Sequence, residues 1–193
     1  IVFIKGAAGT GKTYLSLKAA IETLQLPTNE INKIMLTKPI VEAGESIGFL
    51  PGGIEEKTDP YMRSFIDNIQ ELIGKEATQN FVAAGIIESV PLPYIRGNTF
   101  RRSVCILDEA QNTTPIAMKL FLSRIGQNSK MIVIGDTDQS DLSLRHGEIH
   151  GLADAFNRFK DVKGVGFFEF TEDDIVRSDI LIDLMKRYRN PTK

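Results

Sequence analysis

The chain has 193 residues, 42% hydrophobic and 25% charged, with a formal net charge of −2 and a single cysteine. That length buries a core within one domain, 1–193, and the mild acidity excludes a globally basic nucleic-acid protein while leaving room for a local basic patch. No apolar run reaches the roughly 18 residues of a membrane span, and one cysteine excludes an internal disulfide.

The chain opens on the apolar run Ile1-Val2-Phe3-Ile4, read as a strand over 1–5. No basic segment precedes that run, so no secretory signal is read, and a start inside a strand leads one to expect chain upstream. Next comes Gly6-Ala7-Ala8-Gly9-Thr10-Gly11-Lys12-Thr13, which fits the phosphate-binding pattern G-x-x-x-x-G-K-[ST] at every fixed position. It sits between a strand and a helix-periodic stretch, 12–25, where Leu15, Ala19 and Leu24 give an apolar face. Glycines let successive N–H groups turn toward an anion, and the helix start adds partial positive charge. Lys12 is then expected to reach the β- and γ-phosphates and the Thr13 hydroxyl to ligate magnesium. The prediction is a nucleoside triphosphate site.

A second strand is read over 33–37, followed by a long irregular stretch, 38–59, rich in glycine, proline and acidic residues. Inside a compact domain such a stretch is usually functional or ordered by a ligand. Segment 60–74 reads as a helix through Tyr61, Phe65, Ile69 and Leu72, stopped by Gly74, and 86–90 as a third strand. Arg96, Arg101 and Arg102 lie near Tyr94 and Phe100, a mixture that can hold phosphates and stack a base, or simply form a solvated loop.

The run Val104-Cys105-Ile106-Leu107 makes a buried strand over 103–107, with Cys105 as a small hydrophobe in a reducing, cytoplasmic setting. It delivers Asp108 and Glu109 to the strand's carboxyl end, the edge where ligands bind in open α/β sheets. Asp108 is the expected magnesium carboxylate, and Glu109 the group that orients and activates an attacking water. Paired acids here imply hydrolysis rather than storage of the nucleotide.

A helix is expected over 114–125, capped by Thr113 or Thr114 with Pro115 in its first turn, and a strand over 130–134. That strand ends in Gly135-Asp136-Thr137-Asp138-Gln139, where Gln139 can sense the γ-phosphate or its water, and Asp136 serves either sensing or a turn. His146 and His150 lack the H-E-x-x-H order and a third ligand, so they read as loop or helix-entry residues rather than a zinc site. A last strand over 165–170 and a helix over 178–189 complete an alternation that predicts an α/β fold, a parallel sheet with helices on both faces.

Taken together, the 6–13 loop, Leu36-Thr37-Lys38-Pro39, Val41-Glu42-Ala43-Gly44-Glu45, Gly48-Phe49-Leu50-Pro51-Gly52, Ile95-Arg96-Gly97, Leu107-Asp108-Glu109-Ala110-Gln111-Asn112 and Asp174-Ile175-Val176-Arg177 resemble the PhoH-like family of phosphate-starvation-inducible P-loop ATPases. The resemblance covers nearly the whole chain. It implies a RecA-like sheet like the first domain of superfamily-one helicases, ATP hydrolysis with Mg2+, and action on RNA or single-stranded nucleic acid. Lys38 then falls where helicases meet the nucleic-acid backbone. A single RecA-like domain implies a homo-oligomer, such as a ring, whose neighbour completes the site. Arg177 fits charge neutralisation on the transferred phosphoryl, in cis or from that neighbour; its other reading is an ion pair with Asp173, Asp174 or Asp179. Two departures stand out: Asn98 replaces a second arginine after Arg96-Gly97, and Asp141-Leu142 is followed by Ser143 where the family has proline. Two rivals to a motor remain, a nucleotide-dependent assembly switch and a small-molecule kinase. The kinase suits the Asp-Glu pair poorly, because a kinase must keep water from the γ-phosphate.

Overall fold

A computed structural model describes residues 1–27, 30–40, 54–137, 140 and 149–176, with 54–61 and 172 described by backbone alone. The expectations on Gln139, His146, Arg177 and the 178–189 helix fall outside the described residues. Among the described residues six strands, β1 (Val2–Lys5), β2 (Lys33–Thr37), β3 (Ile87–Ser89), β4 (Ser103–Leu107), β5 (Lys130–Gly135) and β6 (Gly166–Glu169), form one sheet. Its order is β3-β2-β4-β5-β1-β6, and every pairing is parallel. Parallel strands need crossovers, and four of the five carry α-helices: α1 (Lys12–Gln25), α2 (Ile54–Ile73) with α3 (Lys75–Ala83), α4 (Pro115–Leu122) and α5 (Gly151–Arg158); the crossover from β3 to β4 holds only the short 3-10 turn Leu92–Ile95.

Alternation along the strands splits the core in two. Ile34, Leu36, Val104, Ile106 and Ile134 face Leu17 and Ile21 of α1 and Phe65 and Ile69 of α2. Met35, Cys105, Leu107, Met131 and Val133 face Met118 and Phe121 of α4 and Leu152 of α5. Burial on both faces is why these strands read as continuous apolar runs. Phe3 seals the second layer toward the β6 edge, stacked on Phe167 at 5.4 Å.

All six strands lie within a residue or two of their expected spans. The helices differ more. α2 begins at Ile54 rather than 60, because Glu55-Glu56-Lys57-Thr58-Asp59 carries no apolar period to reveal it. Gly74 ends α2 as expected, yet at φ +84° it also turns the chain directly into α3, a helix not foreseen. Its polar start, Lys75-Glu76, hid it. Thr114 is the α4 cap, its hydroxyl accepting from the Ala117 N–H at 3.2 Å, with Pro115 next. Helix α5 follows His150, one of the two histidines read as loop or helix-entry residues, but its extent was not foreseen, since a glycine start and eight residues give little pattern.

Candidate nucleotide site

β1 runs straight into the phosphate loop, and two glycines there take left-handed backbone: Gly9 at φ +87° and Gly11 at φ +77°. Gly6 is needed for room instead, because a Cβ there would lie 2.6 Å from Phe170 Cβ. Gly11 is the N-cap of α1 and brings no side-chain oxygen to the helix start. The first N–H groups of α1 are thus left to an anion. Thr10 is buried and ties the loop by donating its hydroxyl to the Ala7 carbonyl at 2.9 Å. Lys12 folds over the same loop, its ammonium donating to the Gly6 and Ala7 carbonyls at 2.7 and 2.6 Å.

Strand β5 lies between β1 and β4, so the loop and Asp108 come from strands that are not neighbours. At about 4.8 Å per strand they start roughly 10 Å apart. They meet above the end of β5: the Thr13 hydroxyl donates to Asp108 Oδ2 at 3.1 Å. Asp108 is 4% exposed, and its Oδ1 accepts the Glu109 N–H at 3.0 Å. A hydroxyl and a carboxylate oxygen side by side are hard donors suited to magnesium, which takes one or two protein oxygens and completes its shell with phosphate and water. The donor set fits that ion.

Glu109 follows at φ +54°, ψ +37°, a left-handed conformation costing a glutamate about 1 kcal/mol or more. The kink turns Glu109 outward into the exposed rim at the carboxyl edge, where a water can approach it. Gln111, 4% exposed, then does two things that its sequence position did not reveal. Its Nε2 donates to Glu109 Oε2 at 2.7 Å, and its Oε1 accepts the Asp136 N–H at 3.0 Å. It thereby fixes the Glu109 carboxylate to the tip of β5. The approach is so close that a Cβ on Gly135 would sit 2.6 Å from Gln111 Oε1. Glutamine two residues past the acid was the available signal, but only the kink at Glu109 brings the two side chains together.

Of the three expected nucleic-acid contacts, Lys38 and Arg96 lie at the carboxyl edge of the sheet and Arg101 does not. Lys38 points toward Asp108, its ammonium 3.4 Å from Asp108 Oδ2 and 2.9 Å from Ser64 Oγ. Arg101 precedes β4, at the opposite edge of the sheet from Asp108. Arg96 is exposed on the carboxyl edge, lining a groove of about 300 Å³ with Pro39, Ile40, Asn112 and Ile116. His150 caps α5, accepting the Ala153 N–H on Nδ1 at 3.2 Å. Its other nitrogen lies 3.3 Å from the Thr137 carbonyl, which places the proton on Nε2. Asp136 is buried at the β5 tip. Val176, immediately before Arg177, donates its N–H to the Gly9 carbonyl at 3.1 Å, so the chain returns to the phosphate loop near its end. No helix among the described residues is long and apolar enough to cross a membrane.

A family model described as PhoH-like protein matches residues 1–189. The PhoH-like protein of Bacillus subtilis (strain 168) is 46% identical over 188 residues, covering 97% of this chain and 58% of that one. Protein PhoH of Escherichia coli (strain K12) is 42% identical over 180 residues, covering 92% and 50%. The chain therefore spans about half the length of the curated relatives it matches. The flagellar accessory protein FlaH of Methanocaldococcus jannaschii aligns structurally at 11% identity with a TM-score of 0.30, covering 96% of this chain and 66% of its own. The family match over almost every residue is decisive: the chain belongs to the PhoH-like protein family.

Proposed function

We propose that this domain binds ATP with Mg2+ and hydrolyses it, coupling turnover to RNA or another single-stranded nucleic acid. The observation that carries the reading is the hydrogen bond between Thr13 and Asp108, which joins the phosphate loop to the acid of a distant strand. Thr13 and Asp108 would hold the magnesium, which when bound neutralises phosphate charge. Lys12 leaves the Gly6 and Ala7 carbonyls for the phosphate oxygens, while the loop's N–H groups and the start of α1 position the triphosphate. Glu109 accepts a proton from water as that water adds to the γ-phosphorus and ADP departs. Gln139 and Arg177 are proposed to sense the γ-phosphate and to offset its developing charge. Arg177 acts in cis or from a neighbouring subunit of a homo-oligomer.

Nucleic acid is proposed to lie over the carboxyl edge, in the groove that Arg96 lines with Pro93 and exposed Ile116. A cation next to apolar surface suits a phosphate backbone with partly unstacked bases. Phosphate release from Mg·ATP, measured with and without single-stranded RNA, tests both halves. RNA stimulation that Arg96→Ala weakens supports the coupling. Slow release indifferent to RNA, with nucleotide-dependent change in mass, would assign the domain to an assembly switch instead.

A further inference from the structure

We propose that Lys38 is a built-in counter-cation for the Asp108 carboxylate: it supplies the positive charge that a metal would otherwise bring, and so makes metal binding depend on nucleotide. The inference rests on reading Asp108 as the magnesium carboxylate. A carboxylate 4% exposed needs compensation for the water it has lost. Among the described residues, Oδ1 receives a backbone N–H and no cation. Oδ2 receives the Thr13 hydroxyl at 3.1 Å and the Lys38 ammonium at 3.4 Å. Lys38 thus pairs with the very oxygen that, with Thr13, forms the hard-donor pair. A divalent ion seated there meets a like charge only a few ångströms away.

Lys38 is also built to step aside. Its side chain is 15% exposed, its Nζ donates to Ser64 Oγ at 2.9 Å, and it lies 4.6 Å from the centroid of the fully buried Phe65 ring. Both partners are on α2. When the ammonium releases Asp108 it keeps a hydroxyl acceptor and an aromatic face, so its charge is never stranded. Bare metal has to displace Lys38 unaided. Metal arriving with a triphosphate brings anionic oxygens that pay for the exchange.

The test is a Mn2+ titration of the nucleotide-free chain, followed by EPR of the free ion. Lys38→Gln is expected to bind Mn2+ about ten-fold more tightly than the parent, the scale of one charge removed from a partly buried site. Lys38→Arg is expected to match the parent, and Asp108→Asn to bind more weakly. Lys38→Met, neutral and of similar length, serves in place of Lys38→Gln if the glutamine variant does not fold. Equal or weaker Mn2+ binding by the neutral variants, with Asp108→Asn still impaired, overturns the role of Lys38 and leaves the metal carboxylate standing. Unchanged binding by Asp108→Asn overturns the metal reading and this inference with it.

Discussion

In the proposed reaction Lys12 and Glu109 separate binding from chemistry. Lys12 is expected to carry charge complementarity to the phosphates, so Lys12→Ala should abolish nucleotide binding in calorimetry as well as turnover. Glu109→Gln keeps the side chain's shape and its partner Gln111 but loses the proton acceptor. Nucleotide affinity should stay within about three-fold while turnover falls by about 10²-fold or more, the usual weight of a general base. Turnover by Glu109→Gln at the parent rate would remove Glu109 from the chemistry. Gln111 acts on Glu109 only through its position. Gln111→Ala strips Glu109 of its amide partner and leaves the buried Asp136 N–H without its acceptor. A loss of about 1–3 kcal/mol of stability is expected in urea denaturation, together with lower turnover at nearly unchanged nucleotide affinity.

At the scale of elements, what matters is how closely β5 and the turn after β4 approach. Gly135 has no room for a methyl: a Cβ would lie 2.6 Å from both Gln111 Oε1 and Leu152 Cδ2, and 3.0 Å from the Gln111 backbone N. Gly135→Ala should therefore cost about 1–3 kcal/mol by overpacking, read as a lower unfolding midpoint. It should also slow turnover by shifting Gln111. A variant equal to the parent in both would show that the β5 tip does not set the position of Glu109. The strands were legible element by element because burial on both faces writes them as continuous apolar runs. α3 and α5 were not: one begins with charged residues and the other is short and glycine-led, so their positions come from packing against α2 and α4.

For the molecule as a whole, ligand and pH act through linkage. Saturation with Mg·ATP at about 100 times its Kd should stabilise the fold by about 2.7 kcal/mol, a rise of roughly 5–10 °C in Tm that Lys12→Ala abolishes. Burial in the sheet pushes the Cys105 thiol from its ordinary value of 9.0 up to about 12. The unfolded chain then loses that proton first, so this contribution is intact below about pH 9 and is lost as pH rises toward 12. Denaturation midpoints across that window should fall less steeply in Cys105→Ala than in the parent, by at most about 1.4 kcal/mol per pH unit.

Much of the site could be read from residue order. The phosphate loop is local: eight consecutive residues between a strand and a helix carry both its glycine geometry and its lysine, and an apolar strand had to end in Asp108 and Glu109. The parallel α/β class followed from alternation alone. Only the tertiary structure could decide what depends on distant segments meeting. It inserted β5 between β1 and β4, and gave the expected pair Thr13 and Asp108 a direct hydrogen bond across 95 residues of chain. It also set Lys38, expected at the nucleic-acid backbone, beside the buried Asp108 carboxylate, a contact that residue order did not announce. The reason is physical: backbone preference and burial pattern act over a few neighbouring residues, whereas a buried charge is answered by whichever opposite charge the finished fold brings beside it.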